Sequence, residues 1–173
     1  MDDDDAQETS YLRELPVGYR FLPTDEELVT HYLINKVLNR PLPAQIIQDT
    51  EASRLYSKPP SSLVTFSCGE RNWYFFIHED FAGGSEGIRI VGGGIGFWKA
   101  NGQEKPICNS DGTVFAFKFH FTYFSGKFPN AKKTHWKMDE YRLPTEFYTA
   151  HNFKGEEWVL GRLQRGMDYN NCY

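Results

Sequence analysis

The run "TVFAFKFHFTYF", residues 113–124, constrains the fold of this 173-residue chain more than any other segment. Aromatic side chains occupy every second position from Phe115 to Tyr123, and the positions between them hold Ala116, Lys118, His120 and Thr122. Successive side chains of a β-strand point to opposite faces of a sheet. The run therefore predicts one long strand with a buried aromatic face and a basic face exposed to solvent.

Other segments predict the elements around this strand. Three of them have the composition or alternation of strands, namely "NWYFFI" (72–77), "KTHWKMDEY" (133–141) and "EEWVLGRLQ" (156–164). Earlier, "TDEEL" has the form of a capping box, in which Thr24 accepts from the backbone N–H of Glu27 and the Glu27 side chain reaches back. Helical spacing continues to Asn39, and a short helical turn is expected near Thr50–Leu55. The predicted class is α+β, with one or two N-terminal helices followed by an antiparallel sheet.

The formal net charge of −4 conceals two regions of opposite sign. Residues 1–14 hold six acids against one base, Arg13, whereas residues 87–137 hold eight Lys or Arg against two acids. A concentrated basic region predicts a polyanionic partner, although a solvated lysine face is the more common origin of such a cluster. The expected organisation is an acidic flexible tail at 1–14, a domain at 15–165 and a C-terminal tail at 166–173.

The sequence contains no recognisable catalytic or metal-binding arrangement. Cys68, Cys108 and Cys172 are scattered without a C-x-x-C pair, so neither a disulfide framework nor a zinc site is expected. Ser67, Cys68 and His78 show no catalytic spacing. The three acids at 25–27 are better explained as charges that complement a helix dipole.

No signal peptide or membrane span is visible in the sequence. We therefore expect no enzyme activity, no cofactor, no small-molecule substrate and no membrane partner.

The glycine-rich stretch "GGGIGFWKANGQEKPI" covers residues 92–107. It contains neither the G-x-G-x-x-G nor the Walker pattern of a phosphate-binding loop, so a tight, closely packed strand connection is the better interpretation. Within this stretch, strand alternation over Phe97-Trp98-Lys99 places Trp98 in the core and Lys99 outward. Two-stranded ribbons of this kind can enter the major groove of DNA.

Taken in order, several segments resemble the NAC domain of plant transcription factors. They are "LPVGYRFLPTDEELVTHYL", "NWYFF", "GIGFWKANGQEKPI", "SGKFPNAKKTHWKMDEYRL" and "EEWVLGRL", and together they extend from Leu15 to about Leu163. The resemblance implies a twisted antiparallel sheet flanked by a few helices and no catalytic centre. It further implies a nuclear transcription regulator that binds duplex DNA at a site with a CGT core. Its partners would be DNA and a second copy or another NAC protein.

The resemblance also implies site residues. The strand edge that carries Trp98-Lys99-Ala100-Asn101-Gly102 would enter the major groove. The residues expected to contact DNA are Arg89, Lys99, Asn101, Lys105, Lys127, Lys132 and Lys133. The dimer interface would include Leu15 and an ion pair between Arg20 and Glu27 across a two-fold axis. Phosphate contacts by the lysines would position the protein without reading base sequence.

The chain departs from the family where basic residues are usual. At those places it has Glu79, Phe81, Ala82, Ile88 and Val91, and Arg89 is the only base nearby. An alternative function is therefore a NAC-fold module for dimerisation or protein interaction with weakened DNA binding, in which Ile88 and Val91 form an apolar surface. A third possibility, a WRKY-like binder, rests on "WKANGQEK" alone, and the zinc ligands that this class needs do not follow.

Overall fold

The computed structural model describes residues 21–64, 71–78, 88–151 and 157–166. The predicted N-terminal tail lies outside these residues, as do residues 167–173 of the predicted C-terminal tail. Within the described part of the chain, no helix has the length and apolar character needed to cross a membrane.

The first helix, α1, occupies residues 25–37, in three consecutive parts that are α-helical at Asp25–Glu27, π-helical at Leu28–Leu33 and α-helical at Ile34–Val37. The predicted N-cap is confirmed, because the backbone N–H of Glu27 donates to Thr24 Oγ1 at 3.1 Å. Glu27 also reaches back, and its carboxylate accepts from the Thr24 hydroxyl at 3.1 Å. After the helix ends, Asn39 adopts a φ of 55°. Asparagine tolerates this left-handed conformation better than most residues do.

Two other helices are short: α2 spans Ala52–Leu55 and α3 spans Thr145–Ala150. A 3-10 turn lies at Pro60–Ser62. The strands of the described residues are β1 (Gln48–Glu51), β2 (Asn72–His78), β3 (Ile88–Val91), β4 (Gly96–Ala100), β5 (Lys105–Cys108), β6 (Val114–Ser125), β7 (Lys132–Arg142) and β8 (Trp158–Arg165). The predicted helical turn near 50–55 and all the predicted strands are therefore confirmed.

The strands form one curled sheet with the order β1-β2-β8-β7-β6-β4-β3. Strand β5 pairs with the first half of β6, and β4 pairs with its second half. All pairs are antiparallel except β1 with β2, so the sheet is mixed and the expectation of a purely antiparallel sheet is wrong at this edge. The polar sequence "QDTE" of β1 has no alternating pattern by which a strand could be recognised. The α+β class is confirmed.

Both faces of the sheet are covered over part of their area. We call the face that α1 covers the helix face and the other the opposite face. On the helix face, α1 and the sheet bury a cluster that includes Leu28, Val29, Leu33, Phe76, Ala116, Tyr141 and Leu160. On the opposite face, α2 helps to cover a second cluster that includes Leu55, Phe75, Trp98, Phe121, Tyr123, Met138 and Leu163. The β6 aromatics at Phe121 and Tyr123 are buried as predicted.

The predicted solvent exposure of the other β6 face is wrong at the end that α1 covers. Ala116 is completely buried there, in the cluster that α1 and the sheet share. The ammonium of Lys118 donates to Asp25 at 3.0 Å, and the Tyr141 hydroxyl donates to the same carboxylate at 2.5 Å. Burial alone would raise the pKa of Asp25, but these two hydrogen bonds and the charges of Lys118 and Arg162 together hold the pKa below its ordinary value. The interaction joins the first turn of α1 to β6 and β7.

A second charged cluster follows along the helix face. His120 Nδ1 lies 2.5 Å from Asp139 Oδ1, and the Arg162 guanidinium donates to the other oxygen of Asp139 at 2.7 Å. These residues belong to β6, β7 and β8 and are paired across the ladder. The Asp139 carboxylate is therefore buried and charge-paired rather than hydrated.

Candidate nucleic-acid interface

One part of the helix face extends beyond α1 and remains open. In the ladder, Ile88 of β3 is opposite Lys99 of β4, Lys99 is opposite Thr122 of β6, and Thr122 is opposite Lys137 of β7. Residues directly opposite each other in antiparallel strands share a face, so this row presents two lysines on one side of the sheet. Both lysines are exposed.

The neighbouring row on the same face is more apolar and holds one lysine. Ile90 is opposite Phe97, Phe97 is opposite Phe124, and Phe124 is opposite Lys133. The rings of Phe97 and Phe124 stack with their centroids 5.2 Å apart and their planes 5° from parallel. We call these two rows the open surface, defined by Ile88, Ile90, Phe97, Lys99, Phe124, Lys133 and Lys137.

Lys99 is held in place from behind. Its neighbour Trp98 is 1% exposed and packs on the opposite face, with its ring centroid 5.2 Å from that of Tyr123. The predicted arrangement of a core tryptophan and an outward lysine is therefore confirmed. Because a buried tryptophan has few accessible rotamers, it fixes the strand that carries Lys99.

The glycines serve the strand connection, as the interpretation of a tight turn predicted. Gly92, Gly93 and Gly94 all have positive φ between β3 and β4. At Gly96, a Cβ atom would lie 2.1 Å from the Tyr123 hydroxyl oxygen and 2.6 Å from the Phe124 carbonyl oxygen. Gly96 is thus explained by the close approach of Tyr123 and the β6 backbone to β4.

Asn101 follows the last residue of β4 and is exposed. Its backbone N–H donates to the His120 carbonyl at 2.7 Å, and its side-chain Nδ2 donates to Thr122 Oγ1 at 2.6 Å. These two bonds hold Asn101 beside Lys99 on the helix face. With Nδ2 engaged, the amide oxygen is the group best placed to accept a hydrogen bond from a ligand.

The other predicted lysines are exposed but do not all lie together. Lys127 is in the β6–β7 connection, next to Gly94. Lys132 and Lys133 begin β7. Lys133 is directly opposite Phe124 of β6 and therefore lies on the open surface. Lys105 is on β5, opposite Lys118, four residues along β6 from the Lys99 row. The structure adds Lys137, which alternation with Lys133 in "KTHWK" could have included.

Arg89 does not project from the open surface. It lies on the opposite face, where its two terminal nitrogens donate to the two carboxylate oxygens of Glu140 at 2.5 and 3.2 Å. Its guanidinium also lies over the rings of Tyr56 and Phe121, at 4.7 and 5.1 Å. We therefore do not include Arg89 in the candidate interface, although it was expected there. The strand register explains this position of Arg89. It is directly opposite Trp98, so both side chains lie on the opposite face.

The expected apolar surface at Ile88 and Val91 is half correct. Ile88 is 54% exposed, but Val91 is completely buried in the cluster on the opposite face. The second exposed residue is Ile90, at 71%. Strand alternation explains the difference. The side chains of Ile88 and Ile90 lie on one face of the sheet, and that of Val91 lies on the other.

A groove of about 660 Å³ lies along the open surface. Its walls are mainly apolar and are built by β3, β4 and the β6–β7 connection, with Phe128 exposed at one side. Lys99 and Lys127 supply the cationic groups of its lining.

Of the three predicted dimer-interface residues, Leu15 and Arg20 lie outside the described residues. Glu27 is exposed in the first turn of α1, where its carboxylate accepts from the Thr24 hydroxyl. Within the described residues, no group of three or more His, Cys, Asp or Glu is arranged to hold a metal ion.

Comparison with known proteins identifies relatives across most of the chain. The family model described as No apical meristem (NAM) protein matches residues 16–143. NAC domain-containing protein 68 of Oryza sativa subsp. japonica is 40% identical over 158 residues, which cover 86% of this chain and 48% of that protein. NAC transcription factor 32 of Arabidopsis thaliana is 38% identical over 156 residues, covering 87% of this chain and 59% of that protein. The chain thus spans about half the length of the relatives that it matches.

Proposed function

The chain belongs to the NAC domain family of plant transcription factors, and on that premise we propose that its open surface binds duplex DNA in sequence-specific fashion. The observation that carries the proposal is the row in which exposed Lys99 and Lys137 flank buried Thr122, on a strand fixed from behind by Trp98. A rigid strand with outward cations suits entry into a groove lined by phosphates.

We assign the contacts by their chemistry. Lys99 and Asn101, which neighbour each other at the end of β4, would reach base edges in the major groove. The proposed phosphate contacts come from Lys105, Lys127, Lys132, Lys133 and Lys137. The proposed site carries a CGT core, and the proposed compartment is the nucleus.

The test is binding to a fluorescent duplex with a CGT core and to a scrambled duplex of the same composition, across a salt series. We expect preference for the core, with a log–log salt slope that grows by about 0.9 for each phosphate contact. Equal affinity for the two duplexes at every salt concentration would refute sequence-specific binding.

Lys99→Ala tests the assignment of the contact strand. Loss of one charge-assisted contact of ~1.5 kcal/mol should weaken binding about ten-fold. Lys58→Ala is the matched control, because Lys58 is an exposed lysine that follows α2, the helix on the opposite face. Equal losses in the two variants would show that only overall charge matters.

A second function is favoured by the exposed pair Ile88 and Ile90. By the resemblance, Ile88 stands where the family usually has a basic residue. In this alternative the chain is a NAC-fold module that dimerises or binds other proteins and contributes little DNA affinity. The withdrawal of Arg89 to Glu140 supports the same view. Weak binding without core preference, in a chain that still dimerises, would favour it over the first function.

We also propose that the functional unit is a dimer with itself or another NAC protein, in which Glu27 pairs with Arg20 of the second copy. The exposure of Glu27 supports its availability for such a contact.

A further inference from the structure

The groove on the open surface combines two properties that a phosphate backbone alone does not match. Its walls include Ile88, Ile90, Phe97 and Phe124, whereas its cationic groups are Lys99 and Lys127. Among the described residues that line it, none is acidic. A complementary ligand therefore carries carboxylates together with apolar side chains, so that both the lysines and the exposed isoleucines are covered.

The chain itself contains a segment of this composition. Asp2 to Asp5 and Glu8 supply carboxylates, and the apolar pair Tyr11-Leu12 follows them. We propose that residues 2–12 dock on the open surface, with the carboxylates against the lysines and the apolar pair in the groove. The segment then acts as an intramolecular competitor for any polyanion that approaches this face.

The path from the described chain to the groove has a suitable length. Phe21 packs against Tyr74 of β2, with ring centroids 4.8 Å apart, among the residues of the helix-face cluster. Four strand spacings separate β2 from β4, which is about 19 Å. By the random-chain scaling, sixteen residues, the number of steps from Asp5 to Phe21, correspond to an end-to-end distance of about 20–24 Å.

Because the segment is tethered, its local concentration at the surface is high, on the order of millimolar. Weak individual ion pairs can then occupy the surface for much of the time at low salt. At high salt they are screened and the surface is released.

The first test uses zero-length carbodiimide cross-linking of the full chain at low concentration, followed by peptide mapping. We expect bonds between the carboxylates of Asp2 to Asp5 and Lys99 or Lys127, and little reaction at the control Lys58. The double variant Ile88→Ser/Ile90→Ser, which keeps every lysine, should reduce these bonds several-fold. Equal reaction at Lys58, or no change in the double variant, would overturn the proposal.

The second test neutralises the carboxylates. The variant Asp2→Asn/Asp3→Asn/Asp4→Asn/Asp5→Asn should bind a CGT-core duplex about three- to ten-fold more tightly at low salt, with the gain disappearing near 0.5 M salt. An unchanged affinity in a chain that does bind DNA would contradict competition. If the chain binds no DNA, the cross-linking result still decides whether the segment docks, so the two proposals fail separately.

Discussion

Arg89 and Glu140 form a buried ion pair between β3 and β7. Glu140 also accepts a hydrogen bond from the Tyr56 hydroxyl and one from Arg142 at 3.0 Å. Burial alone would raise the pKa of Glu140, but the Arg89 and Arg142 charges and the tyrosine hydrogen bond outweigh burial and hold the pKa below its ordinary value. Arg89 is therefore a structural residue, whose charge satisfies a carboxylate that has no access to water.

The first prediction concerns Glu140→Gln, which leaves the Arg89 guanidinium without its partner charge. Breaking a buried pair in this way should lower the free energy of unfolding at pH 7 by about 3 kcal/mol. Because the folded-state pKa of Glu140 is depressed, the pair contributes fully above its ordinary value of 4.5 and less as pH falls through the folded value.

Urea unfolding at several pH values measures this effect. The difference between the original chain and Glu140→Gln should be large at pH 7 and should narrow as the pH falls well below 4.5. Glu146→Gln is the control, since Glu146 is exposed in the first turn of α3. A difference that stays constant with pH would argue against a charged Glu140.

The second prediction compares two glycines. Gly96→Ala should destabilise the fold by about 2–3 kcal/mol, because the added methyl meets the Tyr123 ring and the Phe124 carbonyl. Gly102→Ala has nothing within 4 Å of the new Cβ but a φ of +77°, and its cost should be about 1 kcal/mol. Thermal or urea unfolding of the two variants gives the ranking, and a reversed order would contradict the close approach of β4 and β6.

At the scale of the element, β3 shows how alternation divides four residues between two environments. Ile88 and Ile90 belong to the open surface, whereas Arg89 and Val91 face the core of the opposite face. This division determines which substitutions can restore basic contacts without damage to the fold.

The third prediction is that Ile88→Arg/Ile90→Arg strengthens DNA binding about ten- to a thousand-fold, if each new contact is worth ~1–2 kcal/mol. The salt slope should become steeper by about 1.8. Ile88→Glu/Ile90→Glu is the matched control and should weaken binding. Arginine variants that fold and still bind no more tightly would show that β3 does not approach DNA.

Val91→Arg provides the contrast within the same strand. Since Val91 is completely buried, an unpaired arginine there should unfold the domain or lower its stability by several kcal/mol. Far-UV circular dichroism and urea unfolding would show this directly.

At the scale of the whole molecule, the sheet separates a covered region from an accessible one. One end of the helix face carries α1 and its charged anchors, and the other end carries the open surface. The proposed dimer contact at Glu27 lies in the first turn of α1, so dimerisation and DNA binding would use different regions of the molecule.

The fourth prediction tests that dimer. Glu27→Arg should weaken self-association about ten-fold, because two symmetric ion pairs are replaced by repulsion. The double variant Arg20→Glu/Glu27→Arg should recover most of the loss in sedimentation equilibrium. Glu26→Arg, an equal charge change at an exposed neighbour, is the control. If Glu26→Arg and Glu27→Arg weaken self-association equally, a specific ion pair between Arg20 and Glu27 is contradicted.

Much of the fold could be predicted from local patterns. The capping box at Thr24, the long aromatic strand β6 and the strands at 72–77, 133–141 and 156–164 follow from side-chain chemistry and periodicity within one segment. Strand β1 could not be found in this way, because a short polar strand is stabilised by its partner and not by its own pattern.

The sequence by itself determined the family, through an ordered series of segments along most of the chain. It also determined the α+β class and the outward position of Lys99, since these follow from patterns within single segments. Only the tertiary structure decided which polar residues are buried. It placed α1 over Ala116, directed Arg89 to Glu140, and left Ile90 rather than Val91 exposed. The physical reason is that burial and charge pairing are set by the neighbouring elements that pack on a face, and alternation along one strand cannot tell which of its faces they will cover.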